Sequence, residues 1–280
     1  EKQILAKING LVPCGTTGES PTLSYEEQIT VIKLCVDTVK KRVPVLAGTG
    51  SNCTNKTIEL SIAAEKIGAD SLLIIAPYYN RPSQEGIYQH FKAINDSVNI
   101  PIIMYIHPKR TGIDINEDTI LRLAELQNIA GIKDATGNMT TPLRLSSKIS
   151  KDFYQFCSDD PETLAYNAGG GVGCISVAAN IIPELCVKLQ DLWRTGKIIE
   201  AIELQKKLLP LYDALFCEIN PTPIKYAASL LGICQAELRL PLVVPNDISK
   251  KIILEALKNF NLLNPNIFTE IITNQEAKLS

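Results

Sequence analysis

The chain has 280 residues, 45% of them hydrophobic and 21% charged, with a formal net charge of −2. That length supports a substantial core in one large domain or two small ones, and the charge balance excludes a nucleic-acid-binding surface or a charged tail. The longest apolar run, near SLLIIAPYY, is far too short to span a membrane.

The opening EKQILAK reads as the tail of a helix and carries no methionine, so the natural N-terminus is expected to lie upstream. INGLVPC is predicted as a buried strand ended by a Gly-Thr-Thr-Gly turn. Ser24-x-x-Glu27 then forms a capping box that starts a helix through YEEQITVIKLCVDTVKK. The alternation repeats with VPVLAGTG as strand, TNKTIELSIAAEKIGA as helix, DSLLIIAPYY as strand and QEGIYQHFKAINDSV as helix. IPIIMYIHP, IAGIK, FYQFCS and VGCISVA follow as strands, separated by helices over NEDTILRLAELQN, TTPLRLSSKIS and PETLAYNAG. From 182 to 260 the pattern is helical, broken near NPTP and RLPLVVP.

Strands that are apolar on both faces and alternate with helices imply a parallel sheet covered by helices. No G-x-G-x-x-G follows a strand, which disfavours a dinucleotide-binding sheet. Polar clusters instead end almost every strand (GTTGE, GTGSN, YYNRP, HPKRTG, KDATGN, SDDPE), as in a barrel that builds its site at the C-terminal face. The expected fold is therefore an α/β (β/α)8 TIM barrel, residues 1–180, with a C-terminal helical segment, residues 181–280, packed on it. Seven strands are predicted, so the first strand and part of a helix are expected to be missing from this chain. The eight cysteines form no C-x-x-C and the two histidines lie apart from them, so free thiols in a reducing cytosol are expected, and neither a metal nor a cofactor.

Lys133 stands where the apolar strand NIAGI meets the turn KDATGN. A strand-end lysine can simply snorkel, or it can serve as a Schiff-base nucleophile. With an ordinary pKa near ~10.4, on the order of one lysine in two thousand is neutral at pH 7, and an apolar barrel interior raises that fraction. Tyr105 ends IIMYIHP and by alternation shares a face with Ile103, opposite Met104 and Ile106. It is either a packed ring with a hydrogen-bonded tip or a proton donor at the barrel mouth. GTTGE, 15–19, offers two hydroxyls and turn amides that suit a small carboxylate, or merely a local strand-to-helix turn. Arg110, in a loop past Tyr105, can clamp a carboxylate bidentately or remain a solvated charge. His107 reads as a loop residue, because nothing nearby completes a dyad.

GTTGES, PYYNRPSQEGIYQHFKAI, RTG, GIKDATGN and NPTPIKYA together resemble the dihydrodipicolinate synthase (4-hydroxy-tetrahydrodipicolinate synthase) family along nearly the whole chain. That family belongs to the pyruvate-dependent class I aldolases. The resemblance implies a homotetramer of tight dimers in the cytoplasm, a lyase that condenses pyruvate with L-aspartate 4-semialdehyde in lysine and diaminopimelate biosynthesis. By the same resemblance Lys133 is the Schiff-base lysine and Tyr105 the general acid/base. Thr16 links Tyr105 to Tyr79, which reaches the neighbouring subunit's site. Thr17 holds the pyruvate carboxylate, the Ile175 backbone lies beside pyruvate, and Arg110 binds the semialdehyde's carboxylate.

Where the family usually reads Y-N-V-P-S-R-T-G, this chain has YIHPKRTG, so Ile106, His107 and Lys109 depart from the pattern. Ser158 replaces the glycine of G-D-D, and GVGCIS stands for G-H-G-V-I-S. Many members are inhibited by lysine at a site with an acidic residue where this chain carries Lys56. Tyr25 and Gln28 stand where sensitive members carry basic side chains, so weak or absent inhibition is expected. The competing readings are a sister aldolase acting on a sugar acid, such as N-acetylneuraminate lyase, and a truncated non-catalytic homologue. Sugar-acid enzymes generally lack the arginine after the tyrosine, so Arg110 favours the synthase.

Overall fold

The computed structural model describes residues 1–149 and 152–263. After α1 (Lys2–Leu5) and the turn at 14–18, the Ser24 hydroxyl accepts from the Glu27 amide at 3.2 Å. The Ser24 amide donates to the Glu27 carboxylate at 2.8 Å, completing the predicted capping box at the start of α2 (Tyr25–Val39). The alternating run follows as β1 (Leu46–Gly48), α3 (Thr54–Ile67), β2 (Ser71–Ile75), α4 (Gln84–Asn95) and β3 (Ile102–Ile106). Next come α5 (Pro108–Thr111), α6 (Glu117–Ala124), β4 (Ile129–Asp134), α7 (Thr141–Ser146), β5 (Tyr154–Cys157), α8 (Thr163–Ala168) and β6 (Gly173–Cys174).

The six strands form one parallel sheet in chain order, β1 to β6. Its outer face carries Leu72, Ile74, Met104 and Ile132, all fully buried against Ile87, Phe91 and Ile94 of α4 and Leu123 of α6. Each such side chain contributes roughly 1.5–3 kcal/mol by leaving water. The inner face gathers Leu73, Ile103, Tyr105, Ala135 and Phe156 into a second cluster. Val12, beside β1, and Ile175, beyond β6, both pack on that cluster. Opposite ends of a sheet meet one cluster only if the sheet curls, which fits a (β/α)8 barrel.

The first and last predicted strands are reduced furthest. INGLVPC makes a single parallel bridge, Leu11 to Val45, although the Gly48 amide still donates to the Pro13 carbonyl at 2.9 Å. The tight turn at Cys14, with φ +56°, ends that pairing early. VGCISVA is reduced to Gly173–Cys174, because Ser176 and the Val177 and Ala178 amides turn to the Asp160 carboxylate instead of continuing a ladder. Among the described residues β6 pairs with β5 alone. Gly48 admits the first turn: a Cβ there would sit 2.1 Å from the Cys14 carbonyl oxygen.

Four helices follow: α9 (Pro183–Arg194), α10 (Ile198–Leu215), α11 (Thr222–Leu230) and α12 (Asp247–Asn259). They build a separate core with Leu164, Val177, Ala178, Ala179, Ile181 and Ile182. Residues 264–280 of the expected helical segment, and residue 150 at the end of the helix predicted over TTPLRLSSKIS, lie outside the described residues. Polar ties run back to the barrel's first turn. Lys225 of α11 pairs with Glu19, and Arg239 grips Glu27 in a fork at 2.6 and 2.7 Å. All eight cysteines are free thiols.

Candidate active site

A cavity of about 1390 Å³ runs along the inside of the curl, from Pro101, Ala130 and Tyr154 at the strand starts to Tyr105 and Lys133 near the strand ends. Lys133 points into it from β4, by strand alternation: Ile132 faces the outer core, while Gly131 and Ala135 flank the lysine on the inner side. Gly131 lets β5 approach: a Cβ there would sit 2.1 Å from the Tyr154 carbonyl oxygen. Lys133 is only 8% exposed, and among the described residues it makes no salt bridge. Its Nζ lies 4.2 Å from the ring centroid of Tyr105, its register partner on β3. Tyr105 is 5% exposed and shares the inner cluster with Ile103, as alternation predicts.

Thr16 and Thr17 line the same cavity from the first turn. The Thr17 hydroxyl and the Asn220 side chain exchange hydrogen bonds at 3.3 and 3.1 Å. The Asn220 carbonyl accepts from Arg110 Nη2 at 2.7 Å. One residue between α10 and α11 thus ties the threonine turn to the arginine. Arg110 is not a loop residue but sits in the short helix α5, half-buried, with its amide donating to the His107 carbonyl at 2.9 Å. The neighbouring Lys109 also lines the cavity.

The two acids of SDD divide their work. Asp160 is buried, and its carboxylate accepts from the Val177 and Ala178 amides at 2.9 and 3.1 Å and from the Ser176 hydroxyl. Burial raises its pKa against those hydrogen bonds. It fixes the chain just past Ile175, whose amide donates to Cys157 at 2.9 Å and whose side chain joins the inner cluster. Asp159 faces the cavity instead. Burial raises its pKa, opposed by the charges of Lys133, Lys109 and Arg110.

His107 is a loop residue, as read from sequence, standing between β3 and α5, and it also lines the cavity. Its ring meets the Tyr105 ring edge-on at 5.8 Å, and its Nδ1 is buried without a hydrogen-bond partner. Burial, then the charges of Arg110 and Lys133, lower its pKa to about 4. Tyr79 is the one predicted site residue that the chain does not bring to the others. It follows β2 in a left-handed conformation, φ +72°, is 88% exposed, and is absent from the cavity wall. Sequence reasoning also missed Asn220 and Asp159. The NPTP and SDD segments were visible, but nothing in their local pattern shows which loops they meet. No group of three His, Cys, Asp or Glu side chains among the described residues is arranged to hold a metal ion.

The assembly places a buried amine against a phenol, hydroxyls and turn amides on one side, and a guanidinium at the mouth. That set can form an imine with a small keto acid and hold a second carboxylate nearby. The model of the dihydrodipicolinate synthetase family matches residues 1–259. The chain is 51% identical over 264 residues to the 4-hydroxy-tetrahydrodipicolinate synthase of Parvibaculum lavamentivorans, covering 94% of this chain and 91% of that protein. To the enzyme of the same name from Pelagibacter ubique it is 52% identical over 267 residues, 93% and 90% of the two chains. The crystal structure of dihydrodipicolinate synthase from Aquifex aeolicus matches with a TM-score of 0.92 at 39% identity, over 94% of this chain and 90% of that one. The chain belongs to the dihydrodipicolinate synthetase family.

Proposed function

We propose that this chain is a 4-hydroxy-tetrahydrodipicolinate synthase, a lyase that condenses pyruvate with L-aspartate 4-semialdehyde in lysine and diaminopimelate biosynthesis. The observation that carries this reading is Lys133, buried without an ion pair, its Nζ over the Tyr105 ring inside the curled sheet. The neutral amine attacks the pyruvate ketone and water leaves to give an iminium. Loss of a methyl proton then yields an enamine. Tyr105 moves those protons, linked through Thr16 to Tyr79 of a neighbouring subunit. The exposure of Tyr79 supports its pointing toward another copy. Thr17 and the turn amides hold the pyruvate carboxylate, and the Ile175 backbone lies alongside it.

The enamine carbon adds to the aldehyde, whose far carboxylate Arg110 pairs with. The product's own amine then displaces Lys133 and closes the ring. Catalysis so described needs no cofactor. The sugar-acid alternative is not favoured, because relatives near half identity over nine-tenths of the chain carry the synthase name. The reading places the enzyme in the cytoplasm as a homotetramer of tight dimers, and no described helix is long and apolar enough to cross a membrane.

Arg110→Ala tests the assignment. Losing a charge-assisted pair worth about 1.5–3 kcal/mol lowers kcat/KM for the semialdehyde roughly ten- to hundredfold. Borohydride trapping of pyruvate persists. Equal loss of both would reject the assignment.

A further inference from the structure

The glutamate of GTTGE and the lysine of NPTPIKYA take no part in the reaction described above, yet they meet across 206 residues. We propose that Glu19 is a positioning residue: paired with Lys225, it holds the Thr16–Thr17 turn in the shape that receives the pyruvate carboxylate. This inference rests on the function proposed above.

Glu19 closes that turn. Its amide donates to the Thr16 carbonyl at 3.0 Å and the Ser20 amide to the Gly15 carbonyl at 3.4 Å, so the backbone folds back on the two threonines. Glu19 itself is left-handed, with φ +55°, a conformation that a residue with a side chain keeps only where its surroundings hold it. Both carboxylate oxygens are engaged, from two directions. Oε2 accepts from Lys225 Nζ of α11, and Oε1 accepts from the Arg239 amide at 3.2 Å. With side chains 14% and 25% exposed, Glu19 and Lys225 form the least exposed ion pair among the described residues. Thr17 is held by Asn220, two residues before α11. The stretch 220–225 therefore grips both the hydroxyl assigned to pyruvate and the carboxylate that closes the turn behind it.

Ordering a loop costs conformational entropy at every residue, and outside contacts must offset it. An ion pair partly withdrawn from water does this better than an exposed one, because solvent and salt screen it less. Without the pair, Asn220 still holds Thr17, but the Glu19 end of the turn is released. A ligand that binds only the ordered turn then loses affinity in proportion to the fraction of turns in place. Glu19 therefore acts on pyruvate binding. At saturating pyruvate the bound ligand itself orders the turn, Thr16 included, so the rate per folded site changes little. The acceptor's carboxylate is unaffected, because Arg110 takes its position from α5 and the Asn220 carbonyl.

Glu19→Gln, Lys225→Met, their double variant and Arg239→Ala are compared with the full-length wild type. The readouts are half-saturating pyruvate in borohydride trapping, kcat, KM for the semialdehyde, and the unfolding midpoint. Each single change in the pair should raise half-saturating pyruvate about five- to tenfold, with kcat and the semialdehyde KM within about threefold of wild type. The double variant should match the worse single one, because both changes remove one interaction. Arg239→Ala cuts the exposed fork to Glu27 but keeps the amide that Glu19 uses, so its half-saturating pyruvate should stay within about twofold of wild type. If Lys225→Met does not fold, Lys225→Gln supplies the same comparison. A role in folding alone would lower the midpoint and, through loss of folded enzyme, kcat, while leaving half-saturating pyruvate unmoved. That result would overturn the inference, as would additive effects in the double variant, an equal rise in Arg239→Ala, or an equal rise in the semialdehyde KM. Absence of pyruvate trapping in the wild type overturns the proposed function itself, and this inference with it.

Discussion

Lys133→Met should separate chemistry from stability. The lysine is 8% exposed, and no carboxylate among the described residues forms a salt bridge with it. Its ammonium form has the Tyr105 ring at 4.2 Å as compensation, an interaction worth about 0.5–2 kcal/mol. Removing a charge that no salt bridge compensates relieves part of its desolvation cost, less the attraction to Asp159, whose carboxyl feels the Lys133 charge. Methionine has similar length, adapts to irregular space and needs no hydrogen bond. The net expectation is a gain of about 1–2 kcal/mol, in the range common for substitutions that relieve an active-site cost. At about 2–4 °C per kcal/mol for a chain of this class, the unfolding midpoint should rise by several degrees. The chemical readout is borohydride reduction with pyruvate, followed by peptide mass mapping. Wild type should carry a carboxyethyl group on the peptide containing Lys133, and the variant none. A label on another lysine, or a lower midpoint in the variant, would refute the reasoning, the latter by showing that Lys133 is a structural partner.

Asn220→Ala removes the side-chain bonds to Thr17 but leaves the carbonyl that Arg110 uses, so steady-state kinetics should show KM for pyruvate raised about fivefold, from about 1 kcal/mol. A larger change in the semialdehyde KM would show that Asn220 acts through Arg110. His90 is held near a pKa of about 4 by burial, with Nδ1 bonded to Thr54 at 3.0 Å and Nε2 unpaired. The unfolded chain takes up that proton near pH 6.5, so stability is full above pH 6.5 and falls as pH drops toward 4, by on the order of 3 kcal/mol. Urea midpoints for wild type and His90→Gln at pH 7 and 4.5 isolate this from buried Asp134 and Asp160, whose raised pKa values run the other way, and a parallel decline in both proteins would refute it. Lys56 is exposed on α3, where the resemblance expects an acidic residue for inhibitor lysine. Like charges about 4 Å apart repel by roughly 4 kcal/mol at an effective dielectric near 20, so millimolar lysine should leave turnover largely unchanged, and sub-millimolar inhibition would show Lys56 to be misread.

Local patterns determined the elements and the faces they present. Period-two alternation is a property of each strand alone, so it places Tyr105 with Ile103 inside and Met104 and Ile106 outside before any packing is known. The Ser24–Glu27 capping box is equally local, because both of its hydrogen bonds close within three residues. The position of Lys133 at the inner end of a buried strand follows from the same rule. Only the tertiary structure decided which strand-end loops meet. Thr17 and Asn220 bond across 203 residues, and Arg110 and Asn220 across 110, separations on which no local periodicity bears. The same closure puts His107 on the cavity wall and splits Asp159 from Asp160, one facing the cavity and the other holding amides. It also stops the final apolar run after two paired residues, since a buried carboxylate offered those amides a partner that the neighbouring strand did not. Apolar pattern sets which face a residue buries, but the partners of a loop's polar groups are set by where the curled sheet brings the chain back.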